Sequence, residues 1–208
     1  MPEGFAVVIV LIALNVVVSI VGFRVLQAEG GSRAEAFLFI PAQVARGENG
    51  LGMLLAHFSH SGVPHLALNM LALYSFSGTV LHVVGPAQYL VIYAVAGLGS
   101  DLVVFALRKD EPTYRCLGAS GSVFGIMMAA VVLDPTTSVV FFIAPLPIPG
   151  PVFMIGYAVI SVFLIAQKRP GGISHEGHLG GAILGLAVTA LLAPRGLDPL
   201  FRWFAQWR

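Results

Sequence analysis

Apolar residues in this chain come in long unbroken runs. They do not follow the two-residue alternation of a half-buried strand or the 3.6-residue rhythm of a helix with one wet face. Six such runs occupy residues 4–26, 64–84, 87–107, 118–133, 150–167 and 177–193. A helix rises about 1.5 Å per residue and the hydrocarbon layer is about 30 Å thick, so a run of roughly 17 to 25 residues matches one crossing, and the fourth run is short for it. Polar residues mark the connections. The longest, 27–63, alternates apolar clusters with Arg33, Glu35, Arg46 and Glu48, which predicts a segment lying in the membrane interface. Gly85-Pro86 predicts a tight turn, "RKDEPTYRC" an exposed loop, and the Pro-rich "DPTTSVVFFIAPLPIPGP" a short extended hairpin at the surface. "KRPGGIS" predicts a mobile loop, and residues 194–208 an interfacial tail with Trp203 and Trp207 among arginines.

Composition identifies the solvent as lipid. Of 208 residues, 57% are hydrophobic and only 10% charged, against about a quarter charged in a soluble domain. Mean hydropathy is +0.89. A net charge of +1 leaves no nucleic-acid footprint. The first run is preceded by Glu3 with no Lys or Arg and is too long for a signal peptide, so it reads as a retained span. The single cysteine, Cys116, has no internal disulfide partner and reads as a small apolar residue near a loop. The expectation is one all-α membrane domain over residues 1–208, a six-helix bundle without internal repeats.

Counting crossings gathers the polar residues. Spans two, four and six all begin on one side of the bilayer, and their starts carry His65 and Asn69, Ser120 and Ser122, and His178 respectively. His65 and Asn69 share a face at i, i+4, as do Ser120 and Phe124. Gly121 with Gly125 and Gly181 with Gly185 form small-xxx-small faces, which let two helices approach backbone to backbone in lipid. Spans four and six therefore bring Ser120 toward His178, the arrangement a serine nucleophile requires. A hydroxyl is a weak nucleophile until a base takes its proton, and neutral imidazole is such a base near pH 7. His65, Asn69 and the Ser120 N–H, at a helix start with unpaired donors, suit the oxyanion of a tetrahedral intermediate. No carboxylate is placed to orient His178, since Glu176 falls on another face, so ring packing by Phe124 is the expected support. His60 reads as structural support for the first connection, His57 and His175 as interfacial, Asn15 as packing glue, and Asp101 as reaching headgroup water near the third loop.

At these residues the chain resembles the rhomboid family of intramembrane serine proteases. The likeness rests on "HSGVPHLALNM" with His60, His65 and Asn69, on "GASGSVFG" with Gly118, Ser120, Gly121 and Gly125, and on "GHLGGAILG" with His178, Gly181 and Gly185. It covers nearly the whole six-span core. The resemblance implies Ser120 as nucleophile, His178 as base, an oxyanion hole of His65, Asn69 and the Ser120 amide, and Phe124 stacked on the base. It also implies a water-filled cavity facing away from the cytoplasm, transmembrane protein substrates entering between spans two and five, a mobile cap around 168–175 with Gly171-Gly172, and no cofactor or metal. The sequence departs from the family where a Trp-Arg pair is common in the first loop, with only Arg46 here, and where Leu81 beside His82 replaces a glutamate. Charge also pulls against it. Arg24, Arg33, Arg46, Arg108, Lys109, Arg115, Lys168 and Arg169 lie on the site side and Arg195, Arg202 and Arg208 on the other, a bias that the positive-inside rule assigns to the cytoplasm. Resemblance and charge thus disagree on orientation, and the expected location is a prokaryotic inner membrane with the site outside.

Other classes fit less well. The soluble hydrolase elbow G-x-S-x-G fails at Ser122 and has no preceding strand. "HEGH" spaces its histidines three apart, not the four of H-E-x-x-H, which argues against zinc. A non-catalytic rhomboid-like binding protein is the alternative, expected to lose Ser or His. A transporter would show inverted repeats.

Overall fold

The computed structural model describes residues 4–28, 32–140, 146–167 and 173–206. The first run forms α1 (Ala6–Ala28). The long connection folds into three short helices, α2 (Ser32–Glu35), α3 (Pro41–Val44) and α4 (Gly50–Ala56). Asn49, in the left-handed region at φ 53°, caps α4 by accepting from the Gly52 N–H. The second and third runs fuse into α5 (Val63–Arg108), broken only at Gly85, whose φ of 76° no ordinary helical residue adopts. Ser77 and Tyr89 are twelve positions apart, about 18 Å along a straight helix. Their hydroxyls nevertheless meet at 2.7 Å, so the two limbs fold back on each other at the expected turn.

After α6 (Ser120–Leu133), strands β1 (Ser138–Val140) and β2 (Pro147–Pro149) pair antiparallel, the expected hairpin. Then come α7 (Gly150–Ala166), α8 (His175–Leu192) and a terminal α9 (Asp198–Ala205).

Helix α6 is the axis of the bundle. Every residue from Gly121 to Val132 except Phe124 is buried, so the helix needs no polar face, and its length of about 21 Å is set by its neighbours. One side meets α1 and both limbs of α5, with Val123, Ile126 and Ala130 clustered with Val8, with Leu73 and Val80 of the first limb and with Tyr89 of the second. The other meets α8. A Cβ on Gly181 would fall on the backbone of Gly121, and one on Gly185 on that of Gly125. Gly180 makes the same approach to Gly99 on the second limb of α5. Glycine is required here because the main chains themselves are in contact.

Large apolar residues such as Val10, Val17, Leu98, Leu102, Val159 and Phe163 are exposed on the outer faces of α1, α5 and α7, as a lipid solvent allows. Among the described residues α1 and α5 are long and apolar enough to cross a membrane by themselves, and α6 and α7 are shorter apolar helices.

Candidate active site

The segment leading into α6 is stitched to the first connection. Phe39 and Cys116 exchange backbone hydrogen bonds at 2.8 and 3.0 Å, and the Gly118 N–H donates to the Ala56 carbonyl at 2.9 Å. Gly118 takes φ 132°, left-handed space where a side chain is strained, and a Cβ there would also stand 2.9 Å from His65 Cε1. Ser120 is the first residue of α6, so its N–H lies in the first turn, where amides have no intrahelical acceptor.

Helix α8 starts at His175 behind the cap Ser174, whose Oγ accepts from the Gly177 N–H. The glycine contact between α6 and α8 then sets Ser120 Oγ 2.6 Å from His178 Nε2. Phe124 stacks on the imidazole with centroids 4.5 Å apart and planes 21° from parallel. A residue that sequence reasoning missed completes the arrangement. The Tyr157 hydroxyl of α7 lies 2.8 Å from His178 Nδ1, and its ring stacks on Phe124 at 4.4 Å. The only signal in the chain was a lone phenol amid the aliphatic residues of the fifth run.

His65 stands on the other side of Ser120. Its Nε2 and the Ser120 Oγ lie 3.1 and 3.5 Å from the point where a Gly118 Cβ would be. The Ser61 N–H points at His65 Nδ1 from 3.4 Å, with the Ser61 hydroxyl at 3.1 Å. An accepting Nδ1 leaves the ring proton on Nε2, on the side of the ring against Gly118. Asn69 is buried one turn on, and its Nδ2 donates to the His65 carbonyl at 2.9 Å, so one of its two protons is engaged within the helix. Ser122 belongs elsewhere: it is buried and faces Gly97 of α5.

His60 is fully buried, with Nδ1 2.8 Å from Ser19 Oγ on α1 and its ring edge-on to His65 at 5.0 Å. Ser19 gives its own proton to the Phe58 carbonyl at 3.0 Å, so it accepts from His60. Burial, with a smaller contribution from His65, pushes the His60 pKa down to about 4. Asn15 is buried and its Nδ2 donates to the Leu11 carbonyl one turn back in its own helix.

A cavity of about 30 Å³ opens beside the pair, lined by Ser120, His178, Ser100, Cys116, His57 and Asp101. That is room for about two waters. Two expectations are corrected here. Asp101 does not reach headgroup water: it is 8% exposed and accepts from His57 Nε2 at 2.7 Å. His57 is accordingly turned inward, held by a carboxylate 44 positions away. Burial, with the carboxylates of Asp101 and Glu176 adding to it, pushes the Cys116 thiol up to about 12, so it stays protonated. Glu176 does face away from the pair, accepting from Arg108 Nε at 2.6 Å. His175 is half-buried at the start of α8, and the expected cap and its Gly171-Gly172 pair lie largely outside the described residues. Among the described residues no three metal-ligating side chains converge.

A profile of the Rhomboid domain matches residues 47–195. The mitochondrial presenilin-associated rhomboid-like protein of Homo sapiens is 31% identical over 141 residues, 64% of this chain and 36% of its own length. Presenilin-associated rhomboid-like protein A of Danio rerio, also mitochondrial, is 31% identical over 218 aligned positions, 100% of this chain and 54% of its own length. Rhomboid protease GluP of Bacillus subtilis is 28% identical over 187 residues, 86% of this chain and 34% of its own length. The chain thus spans about a third to a half of the length of these curated relatives. With mitochondrial proteins among them, the expectation of a prokaryotic inner membrane finds no support.

Proposed function

The chain belongs to the rhomboid family, an integral membrane family, and from that premise we propose that it is an intramembrane serine endopeptidase cutting peptide bonds in or near transmembrane segments of other proteins. The observation that carries the reading is the 2.6 Å contact between Ser120 Oγ and His178 Nε2, made by residues from two helices joined at glycine.

The chemistry follows from that contact. Ser120 Oγ attacks the scissile carbonyl carbon as its proton passes to His178 Nε2. The carbonyl oxygen becomes an oxyanion between the Ser120 N–H, His65 Nε2–H and the second Asn69 Nδ2 proton. Each well-placed donor of this kind is worth about 2.7–4 kcal/mol in the transition state. Collapse breaks the C–N bond, and the leaving amine takes the proton from His178. Water from the adjoining cavity then attacks the acyl ester, returning the proton through His178 and freeing Ser120.

On this reading α1, the two limbs of α5, α6, α7 and α8 make six crossings, and substrate reaches the site between the first limb of α5 and α7. The family resemblance turns the site away from the cytoplasm, against a charge bias that discounting Arg33 and Arg46 of the folded first connection reduces to six cations against three but does not reverse. A helical substrate keeps its carbonyls bonded, so it must unwind before it can be cut, and small or helix-breaking residues near the scissile bond favour this. The test is covalent labelling in liposomes. A fluorophosphonate marks the wild type and fails on Ser120→Ala and His178→Ala, while leucines placed around a mapped cleavage site slow the cut. A wild type that stays unlabelled and cleaves no transmembrane substrate refutes the protease reading in favour of a helix-binding protein.

A further inference from the structure

A dyad has no third residue to say which imidazole nitrogen carries the proton, yet the reaction needs Nε2 free to accept from Ser120. Carboxylates do not do this here. Glu176 is held by Arg108 and Asp101 by His57. The group at Nδ1 is the Tyr157 hydroxyl, 2.8 Å away. Resting on the protease reading above, we propose that Tyr157 is a positioning residue whose phenol oxygen accepts a hydrogen bond from the Nδ1–H of His178 and stabilises the imidazolium formed as Ser120 attacks.

A phenol both donates and accepts, so the direction of this bond has to be argued. In the transition state His178 is protonated on both nitrogens and has no lone pair left, so the phenol oxygen must then accept. A contact that strengthens as charge develops lowers the barrier and not merely the ground state. The ring is held for this role. Phe153, Tyr157 and Ser161 recur every four residues along the face of α7 that packs inward. Tyr157 lies between Phe153, 5.8 Å away, and Phe124, 4.4 Å away. Phe124 in turn covers His178, so the stack crosses from α7 through α6 to α8. The opposite face of α7 exposes Ile155, Val159 and Phe163. The hydrogen-bond acceptor therefore rides on a helix whose other face is exposed.

Tyr157→Phe removes the oxygen and keeps the stack. With the full chain in proteoliposomes and a quenched-fluorescence transmembrane peptide, the expected result is a loss in kcat of about 10- to 100-fold, the range for one charge-assisted hydrogen bond. KM should stay within about twofold. An imidazolium without its acceptor is less stable, so the acid limb of the kcat profile moves to lower pH. The other titratable groups around His178 are His65 and His175, with His57, Asp101 and Cys116 across the cavity. They are the same in both proteins, which assigns the movement to the phenol. Phe153→Leu loosens the same helix without touching the hydroxyl and must leave the acid limb in place. If Tyr157→Phe fails to fold, 3-fluorotyrosine at 157, a weaker acceptor of nearly the same shape, must lower kcat in the same direction.

An unchanged kcat and acid limb in an active protein overturns the proposal alone. A faster Tyr157→Phe overturns it too, showing that the phenol donates and holds the wrong tautomer. A wild type that neither cleaves nor takes a fluorophosphonate sinks the protease reading instead. The question at Tyr157 is then decided by the nitrogen-15 spectrum of His178, in which the substitution must move the Nδ1 resonance.

Discussion

Replacing Gly181 by alanine tests whether the glycine seam sets the distance between nucleophile and base. The new Cβ would fall closest to the Gly121 carbonyl oxygen, and would stand 2.6 Å from the carbonyl carbon and 2.8 Å from the Cα. All of these atoms are main chain, so no side chain can swing aside. Ordinary contact begins near 3.4 Å, so clearing the carbonyl carbon alone makes α6 and α8 part by at least about 0.8 Å at this level. Gly121 adjoins Ser120 and Gly181 lies less than one turn beyond His178. The separation therefore passes almost undiminished into the 2.6 Å bond, stretching it to at least about 3.4 Å, beyond hydrogen-bond range. Misplacement on the order of 1 Å costs about 10²-fold in rate. Overpacking costs about 1–3 kcal/mol of stability, offset by the 0.5–1 kcal/mol or so that alanine gains over glycine in a helix. The assay is kcat on a fluorogenic transmembrane substrate together with the thermal midpoint in detergent. Gly156→Ala is the control: a Cβ there meets nothing within 4 Å, so activity should hold and the midpoint should not fall. If Gly181→Ala keeps kcat within about threefold of wild type, the seam does not hold the pair and the reasoning is wrong.

Two further outcomes are expected. His60 is held near 4 in the fold against 6.5 when unfolded, so the unfolded chain binds the extra proton between those values. Its contribution is complete above about pH 6.5 and fades as pH falls toward 4, by about 3 kcal/mol in all. Thermal midpoints should drop across that window and flatten in His60→Gln, and a slope surviving that change would assign it to another group. Glu176→Ala leaves the largely buried Arg108 Nε without its 2.6 Å acceptor and should cost about 1–3 kcal/mol in the same melting assay. An unaltered midpoint would mean that the start of α8 is anchored by other contacts.

The parts of this molecule legible in sequence were those governed by lipid. Long apolar runs announced the helices because a membrane segment has no polar face to confuse the pattern, and a polar residue in such a run has few tolerable places. That is why parity alone gathered Ser120, His178, His65 and Asn69. The glycine pairs were readable for the same reason, since only close backbone contact rewards them. Asp101 was misread because its partner, His57, lies 44 positions away in a connection whose helices of four to seven residues are too short to show a period. Tyr157 escaped because parity looks at the starts of spans, and this hydroxyl sits in mid-helix. The turn at Gly85-Pro86 was read correctly as a reversal: φ 76° and ψ 172° at Gly85 end one helical limb, and the next starts at Pro86.

On the protease reading, the shortness of α6 has a consequence for where a partner would be severed. At about 21 Å it falls roughly 9 Å short of the hydrocarbon thickness, and Ser120 stands at its mouth. The blade is thus sunk beneath the headgroups by no more than that shortfall, about six residues of helical rise. A client chain inserted alongside offers only its outermost two turns at that depth. On that reading, bonds nearer the midplane would lie deeper than Ser120 whatever their sequence, and burial depth in the bilayer would serve as a ruler.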